Sequence, residues 1–547
     1  YDPYMKKASA FLTAIILSLF LSCPAIAQKA SQAVNQIRAE DLGSHVSFLA
    51  SPLLKGRMNG SPELEIASKY IRSQIRLIDL APANGDSYFQ PYSIIRKSID
   101  YDKTSIEIIS EGKEPVVIKE PVFQLLPTGA SDFTLEGEVV FAGYGIRSDK
   151  YNYNDFDGLN TEGKIILVMN RAPLSEDGKE YLFEEPVWAN FMSIQLKLTS
   201  LIFSRAKAIL FVSDPKSGFE SIERQYPGIA GELSSSKTLK GEKEIITSLP
   251  GMPVIMFVHR SVADELLKDT GQTLEELQKK IDREMKPNSF EITGRQLKIT
   301  EASRTDEVVL NNIAGYIEGS DPVLKKEFVV FSGHYDHVGE SGGMVHAGAD
   351  DNSSGTSALL ELAQAFASLG KKPLRSLLFL WVSGEEIGLF GSQFYVNNPL
   401  FPLENTIANI NIDMIGRVKG VADTAADNPM TGPSSVFVIT GDQSRELRGV
   451  ADAADKRSSI SFDYSLSGRN APQQLFSRSD HYNFVRKDIP VLFFSTGLHT
   501  DYHTPGDTAD KLDYAKMELI TRTIFDIGLT LANSKNRIVV DNPFSKW

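Results

Sequence analysis

Four largely apolar runs, Phe328–Phe331, Leu377–Val382, Ile407–Ile412 and Val491–Phe494, recur through the C-terminal half of the chain. Runs this short, with little apolar–polar alternation, suit strands covered on both faces, which is the condition of a parallel sheet. Helical patterns lie between them. Leu359, Leu362, Ala363 and Phe366, for example, keep the spacing of one helix face. Strands alternating with helices predict an α/β domain over residues 298–547, with a mostly parallel central sheet flanked by helices.

The chain has 547 residues, more than one core ordinarily holds. Residues 28–118 read as the first part of the same domain. Ser61 is a helix N-cap with Pro62 at the first helical position. Leu64, Ala67, Ile71, Ile75 and Ile78 follow at helical spacing. Residues 119–297 change texture. Short β-like runs at Glu138–Ala142, Lys164–Val168, Ala208–Val212 and Pro253–Val258 alternate with turns, and Gly143, Gly145, Gly158 and Gly163 punctuate the first two. They predict a separate β-rich insert.

Residues 1–27 read as a signal peptide. Lys6 and Lys7 follow Met5, Phe11 to Leu21 is an apolar run too short for a membrane span, and Ala25, Ile26 and Ala27 fit a cleavage site that leaves Gln28 first. The single cysteine, Cys23, lies in this segment. Lipid anchoring through it is the alternative, although Phe20, Leu21 and Ser22 make a poor lipobox. No later run reaches the ~20 apolar residues of a transmembrane span. The expectation is an exported protein, periplasmic or extracellular. The net charge of −13 becomes one unit more negative once this segment is removed. Such a chain has no overall attraction for nucleic acid or anionic membrane.

Metal-ligand residue types follow each apolar run. The first leads to Gly333, His334, Tyr335 and Asp336, and then through a loop to Gly348–Gly355, which carries Asp350 and Asp351. The second leads to Ser383, Gly384, Glu385 and Glu386; the third ends at Asp413; the fourth leads to Tyr502, His503 and Asp507. In open α/β sheets ligands bind beyond the carboxyl ends of the strands. His334, Asp351, Glu386, Asp413 and His503 are therefore expected on one rim. Singly, each has an ordinary reading as a turn former, a cap or a solvated charge. Together, two imidazoles and three carboxylates make a nitrogen–oxygen donor set. It suffices for two divalent ions if one carboxylate bridges. Paired ions ~3.5–4 Å apart polarise a carbonyl and acidify water to a pKa near 7.

These motifs resemble those of the di-zinc aminopeptidase family that also holds glutamate carboxypeptidase, the glutaminyl cyclases and the transferrin receptor ectodomain. The resemblance is strong over residues 298–515 and weak over 40–80. It rests on Gly333 to Asp336, Gly348 to Gly355, Ser383 to Glu386, Asn411 to Gly416 and Tyr502 to Thr508. It implies a zinc aminopeptidase/phosphorylase-like fold and two zinc ions. By the resemblance His334 and Asp413 hold one ion, Glu386 and His503 hold the other, and Asp351 bridges them. Glu385 matches the general base and Asp336 the carboxylate that orients His334. Tyr502 sits where some members place a phenol that stabilises an oxyanion. The implied function is hydrolysis of the first peptide bond of peptides with a free amino terminus. The insert resembles a protease-associated domain, on Glu138 to Gly145, Asn154 to Phe156, Gly163 to Val168 and Ala206 to Val212.

Rival functions fit the residues less well. Gly339, Ser341 and Gly343 match G-x-S-x-G, but that motif needs a strand-to-helix turn, and no helical pattern begins before Asn352. H-E-x-x-H is absent from the sequence. A glutaminyl cyclase has one zinc and does not need the equivalent of His334. A receptor-like binding protein loses ligands or the base, whereas all are present here. A carboxypeptidase would need arginines for a terminal carboxylate, and Arg469 and Arg478 are the candidates. His337, His346 and His481 lie near the motifs, with lining or structural roles. His45, His259 and His499 carry no pattern, and Asp480 has no assigned role.

Overall fold

The structure is a computed structural model. It describes residues 32–118, 123–125, 132–177, 179–183, 193–225, 235–242, 253–341, 343–420, 429–468 and 471–546. The signal-peptide reading, Cys23 and Arg469 lie outside the described residues. Among the described residues no helix is long and apolar enough to cross a membrane. The chain forms two compact units, one running to Ser93 and resuming at Val309, the other spanning Ile94–Val308.

In the first unit the sheet contains β1 (Ser303–Ile317, from Val309 on), β2 (Phe328–His334), β3 (Ser376–Val382), β4 (Thr406–Ile412), β5 (Ser435–Ile439), β6 (Ser461–Asp463) and β7 (Val491–Ser495). Their spatial order is β1-β3-β2-β4-β7-β5-β6. The central strands β3, β2, β4 and β7 run parallel, and β1 and β5 join them antiparallel. Every residue of the four central strands is buried. This is why the sequence shows apolar runs rather than alternation.

Four helices bear on the position of the site: α1 (Ala39–Leu49), α2 (Pro62–Leu77), α3 (Gly355–Ala367) and α4 (Tyr514–Asn533). Ser61 caps α2 by accepting from the Leu64 N–H, and Leu64, Ala67, Ile71 and Ile75 are buried as their spacing predicts. Each larger side chain of that stripe contributes roughly 1.5–3 kcal/mol of burial. Ile78 is the C-cap and is only half-buried. Helix α3 departs from the one-face expectation, because it is buried almost all round. Contacts with β2, β3, β4, α1, α2 and α4 surround it.

The second unit holds an eight-stranded mixed sheet. Phe133–Phe141, Ile165–Met169, Ala208–Val212 and Val254–Val258 are its successive parallel strands. In Ile165–Met169, alternate residues enter two separate apolar clusters, so both faces are covered. Strands Ser105–Ser110 and Phe290–Glu301 belong to the same sheet. The compact unit therefore extends beyond residues 119–297 at both ends.

Candidate metal centre

Strand register builds the rim. His334, the last residue of β2, lies beside Val382, the last of β3, so Glu385 and Glu386 follow at the same edge. Asp413 continues β4 beyond Ile412 and donates its backbone N–H to Phe494 O of β7. Asp351 comes from the turn before α3, where the Asp351–Asn352 peptide is cis. Gly355 is required there: a Cβ would stand 2.3 Å from Ile412 O and 2.4 Å from Asn352 Oδ1.

The structure brings together all five residues expected as ligands. His334 Nε2 is 3.3 Å from Asp351 Oδ1 and 3.3 Å from Asp413 Oδ1. His503 Nε2 is 3.0 Å from Asp351 Oδ2 and 2.9 Å from Glu386 Oε2. Asp351 thus turns one oxygen to each imidazole. The donor atoms fall into two sets, each within 4.8 Å: His334, Glu385 and Asp413, and His337, Asp351, Glu386 and His503. His503 Nε2 is buried between two carboxylates yet makes a hydrogen bond to neither. An imidazole nitrogen so placed, in a nitrogen–oxygen donor set, fits divalent zinc at either position.

Electrostatics point the same way. Burial resists charge on His503, but Glu386 and Asp351 outweigh it and raise the imidazole to about 10. Burial works against Asp351 too, while His334 and His503 hold its carboxyl well below the usual range. Burial, with Glu386 and Asp413 nearby, pushes Glu385 well above the carboxylate range. Buried carboxylates in this number need cations or protons beside them.

Surrounding groups hold these side chains in place. His334 Nδ1 meets the backbone carbonyl of Asp336 at 3.2 Å, while the Asp336 carboxylate, expected to orient the ring, stands 3.7 Å away and instead accepts from Asn59 Nδ2 at 2.6 Å and from the backbone N–H of Glu385 and Glu386. Ser479 Oγ donates to Asp413 Oδ2 at 2.8 Å. The Asp507 carboxylate accepts the backbone N–H groups of Asp350 and Asp351. Asp350 in turn accepts from Gly416 N and faces the buried His499. His346 bonds His503 O through Nδ1 and Ser341 Oγ through Nε2. Ser341 belongs to a small hairpin, Glu340–Ser341 with Met344–Val345, which is not the strand-to-helix turn of a nucleophilic serine. Asp480 is buried, accepts from Ser392 Oγ, and is pushed by burial to about 7. His481 stacks on Phe493 as a core residue. Tyr502 stacks on His503 with ring centroids 3.9 Å apart. It lines a small cleft with Glu385, Arg478, Met414, Leu475, Phe493 and Leu498.

Arg57 belongs to the site without a signal in the sequence. Its guanidinium is fully buried and donates to Tyr335 O, Leu49 O, Ala347 O and Gly348 O. Burial lowers it to about 10 while Asp336, Asp351, Asp507 and Glu386 hold its charge. No local pattern marks it, because its partners are carbonyls distant in sequence. Arg57→Met leaves four buried carbonyls and the carboxylates uncompensated. We expect a loss of about 3–5 kcal/mol in stability. An unchanged urea midpoint would contradict that role.

Residues 312–528 match peptidase family M28. Leupeptin-inactivating enzyme 1 of Streptomyces exfoliatus is 40% identical over 150 residues, 26% of this chain and 28% of that protein. Aminopeptidase YwaD of Bacillus subtilis is 29% identical over 226 residues, 39% of this chain and 44% of that protein. The chain thus spans less than half the length of either relative. The fold matches that of the aminopeptidase from Aneurinibacillus sp. strain AM-1, with a TM-score of 0.52, 18% identity and coverage of 94% of this chain and 98% of that one. The matched stretch takes in His334, Asp351, Glu385, Glu386, Asp413 and His503.

Proposed function

We propose that the protein is an exported zinc aminopeptidase with two metal positions in one site. The observation that carries this is Asp351, whose oxygens face His334 at 3.3 Å and His503 at 3.0 Å. A carboxylate that turns one oxygen to each of two histidines would serve an ion beside either of them. His334 and Asp413 complete one position, and His503 and Glu386 the other. Two zinc ions held there would polarise the scissile carbonyl and acidify water.

The remaining steps belong to the chain. Glu385 stands in the His334 donor set and lines the cleft. It takes the proton of the attacking water and returns it to the departing amine. Asp336 keeps the His334 ring oriented through its backbone carbonyl, 3.2 Å from Nδ1. Tyr502 turns its phenol into the cleft, placed to donate to the oxyanion. The side chains Met414, Leu475, Phe493 and Leu498 make part of the cleft wall apolar. A lone cleft arginine, Arg478, meets Tyr502 OH at 3.4 Å. It provides no cluster of the kind a carboxypeptidase needs among the described residues.

The second unit is proposed as a protease-associated module with limits at Ile94 and Val308. Residues 94–308 expressed alone are expected to fold. A disordered product would count against an independent module.

Aminoacyl-p-nitroanilides, tested with chelator, with added zinc and beside N-acetylated controls, check the activity. Chelator-sensitive cleavage of free-amine substrates alone is the result expected. No cleavage with two zinc ions bound would favour carboxypeptidase or cyclase chemistry instead.

A further inference from the structure

His337 is fully buried beside the site and is not among the five ligands assigned above. We propose that His337 is a positioning residue that holds Glu386 Oε1 through its Nδ1–H and so leaves Oε2 alone to bind the ion beside His503. The inference rests on the two-metal reading.

The distances separate this role from direct ligation. Donors of a tetrahedral zinc with bonds of ~2.0–2.2 Å stand roughly 3.3–3.5 Å apart. The contacts of His334, at 3.3 Å, have that spacing, and the one to Asp413 Oδ1 is also a long hydrogen bond. His337 Nδ1 lies 2.7 Å from Glu386 Oε1 in an aligned hydrogen bond, and 3.7 Å from Asp351 Oδ2. The first is the length of a charge-assisted bond. His503 also approaches carboxylates closely, but it is hydrogen-bonded to neither.

The other metal position repeats the arrangement. There Asp413 turns Oδ1 to His334 while Ser479 Oγ donates to Oδ2. At Glu386, Oε2 faces His503 and His337 takes Oε1. Each terminal carboxylate thus has one oxygen occupied and one left for metal. Ser479 is a hydroxyl and His337 an imidazole, so the two positions are built differently.

The His337 ring is pinned. Its backbone N–H donates to Arg57 O at 3.2 Å. Gly348, at φ 62°, lets the ring pass: a Cβ there would be 2.5 Å from Cγ and Cδ2. Nε2 is buried with no hydrogen-bond partner. A proton on Nδ1 rather than on Nε2 avoids a buried, unpaired N–H.

The test compares His337→Leu with His337→Asn in the full-length protein, because Asn Nδ2 occupies the place of His Nδ1. Zinc binding is read by chelator competition and metal analysis, and site geometry by the visible spectrum of the cobalt-substituted protein. His337→Leu is expected to weaken one of the two ions ~10–100-fold, as loss of such outer partners does, and to leave the other unchanged. His337→Asn is expected to restore most of the affinity and the cobalt spectrum. Should the leucine variant fold poorly, His337→Gln replaces it, since its amide lies one bond farther out. Equal loss in the Leu and Asn variants would make His337 a ligand, and unchanged binding in both would make it a spectator; either overturns the proposal. A wild-type protein that binds fewer than two ions overturns the two-metal reading itself, and this assignment with it.

Discussion

Glu385→Gln is expected to lower turnover about 10²–10⁴-fold while both zinc ions stay bound, because general-base catalysis by a positioned carboxylate contributes on that order. The amide keeps the size of the side chain and removes the proton acceptor. Glu385 lies in the wall of the cleft and belongs to the donor set of His334 and Asp413. Its backbone N–H remains on Asp336 whatever the side chain, so local folding should persist. kcat on a leucyl-p-nitroanilide, measured beside metal content, separates the two effects. Near-normal turnover would remove Glu385 from the mechanism. Loss of metal together with turnover would make it a ligand instead.

Asp351→Ala is expected to empty both positions, a loss larger than the ~10–100-fold of an outer-shell partner. The reason is geometric: its two oxygens serve two histidines. His334→Ala, by contrast, should release one ion and keep the other. Metal counted after dialysis distinguishes them. Two ions retained by the Asp351 variant would contradict the bridge. The same variant also tests stability. His334 and His503 hold the Asp351 carboxyl ionised, so above the usual carboxylate range it stabilises the fold, and the two imidazoles lose that partner in the variant. Without metal, the variant should therefore unfold at a lower urea concentration than the metal-free wild type at neutral pH. A higher midpoint would mean that repulsion among the buried carboxylates outweighs the two imidazole contacts.

Much of this architecture is legible in the amino-acid sequence. The four apolar runs are β2, β3, β4 and β7, because strands covered on both faces cannot hide their composition. Ser61 and Pro62 announce α2, since a cap is a local event between neighbouring groups. The five metal-ligating residue types are visible because each follows a strand end. Helix α3 reads as one-sided in the sequence, since periodicity reports the strongest face and not how many neighbours surround it.

The sequence by itself determined the α/β class, the strand-end rim and the residue types that meet there. These depend on short-range spacing and on which segments must be buried. Only the tertiary structure decided which oxygen faces which nitrogen. It divided Asp351 between two histidines, bound Arg57 to the carbonyls of the ligand-bearing loops, and set His337 and Ser479 against the second oxygens of Glu386 and Asp413. Those contacts join residues tens to hundreds of positions apart, and their directions follow from rotamers and register that only the packed core fixes.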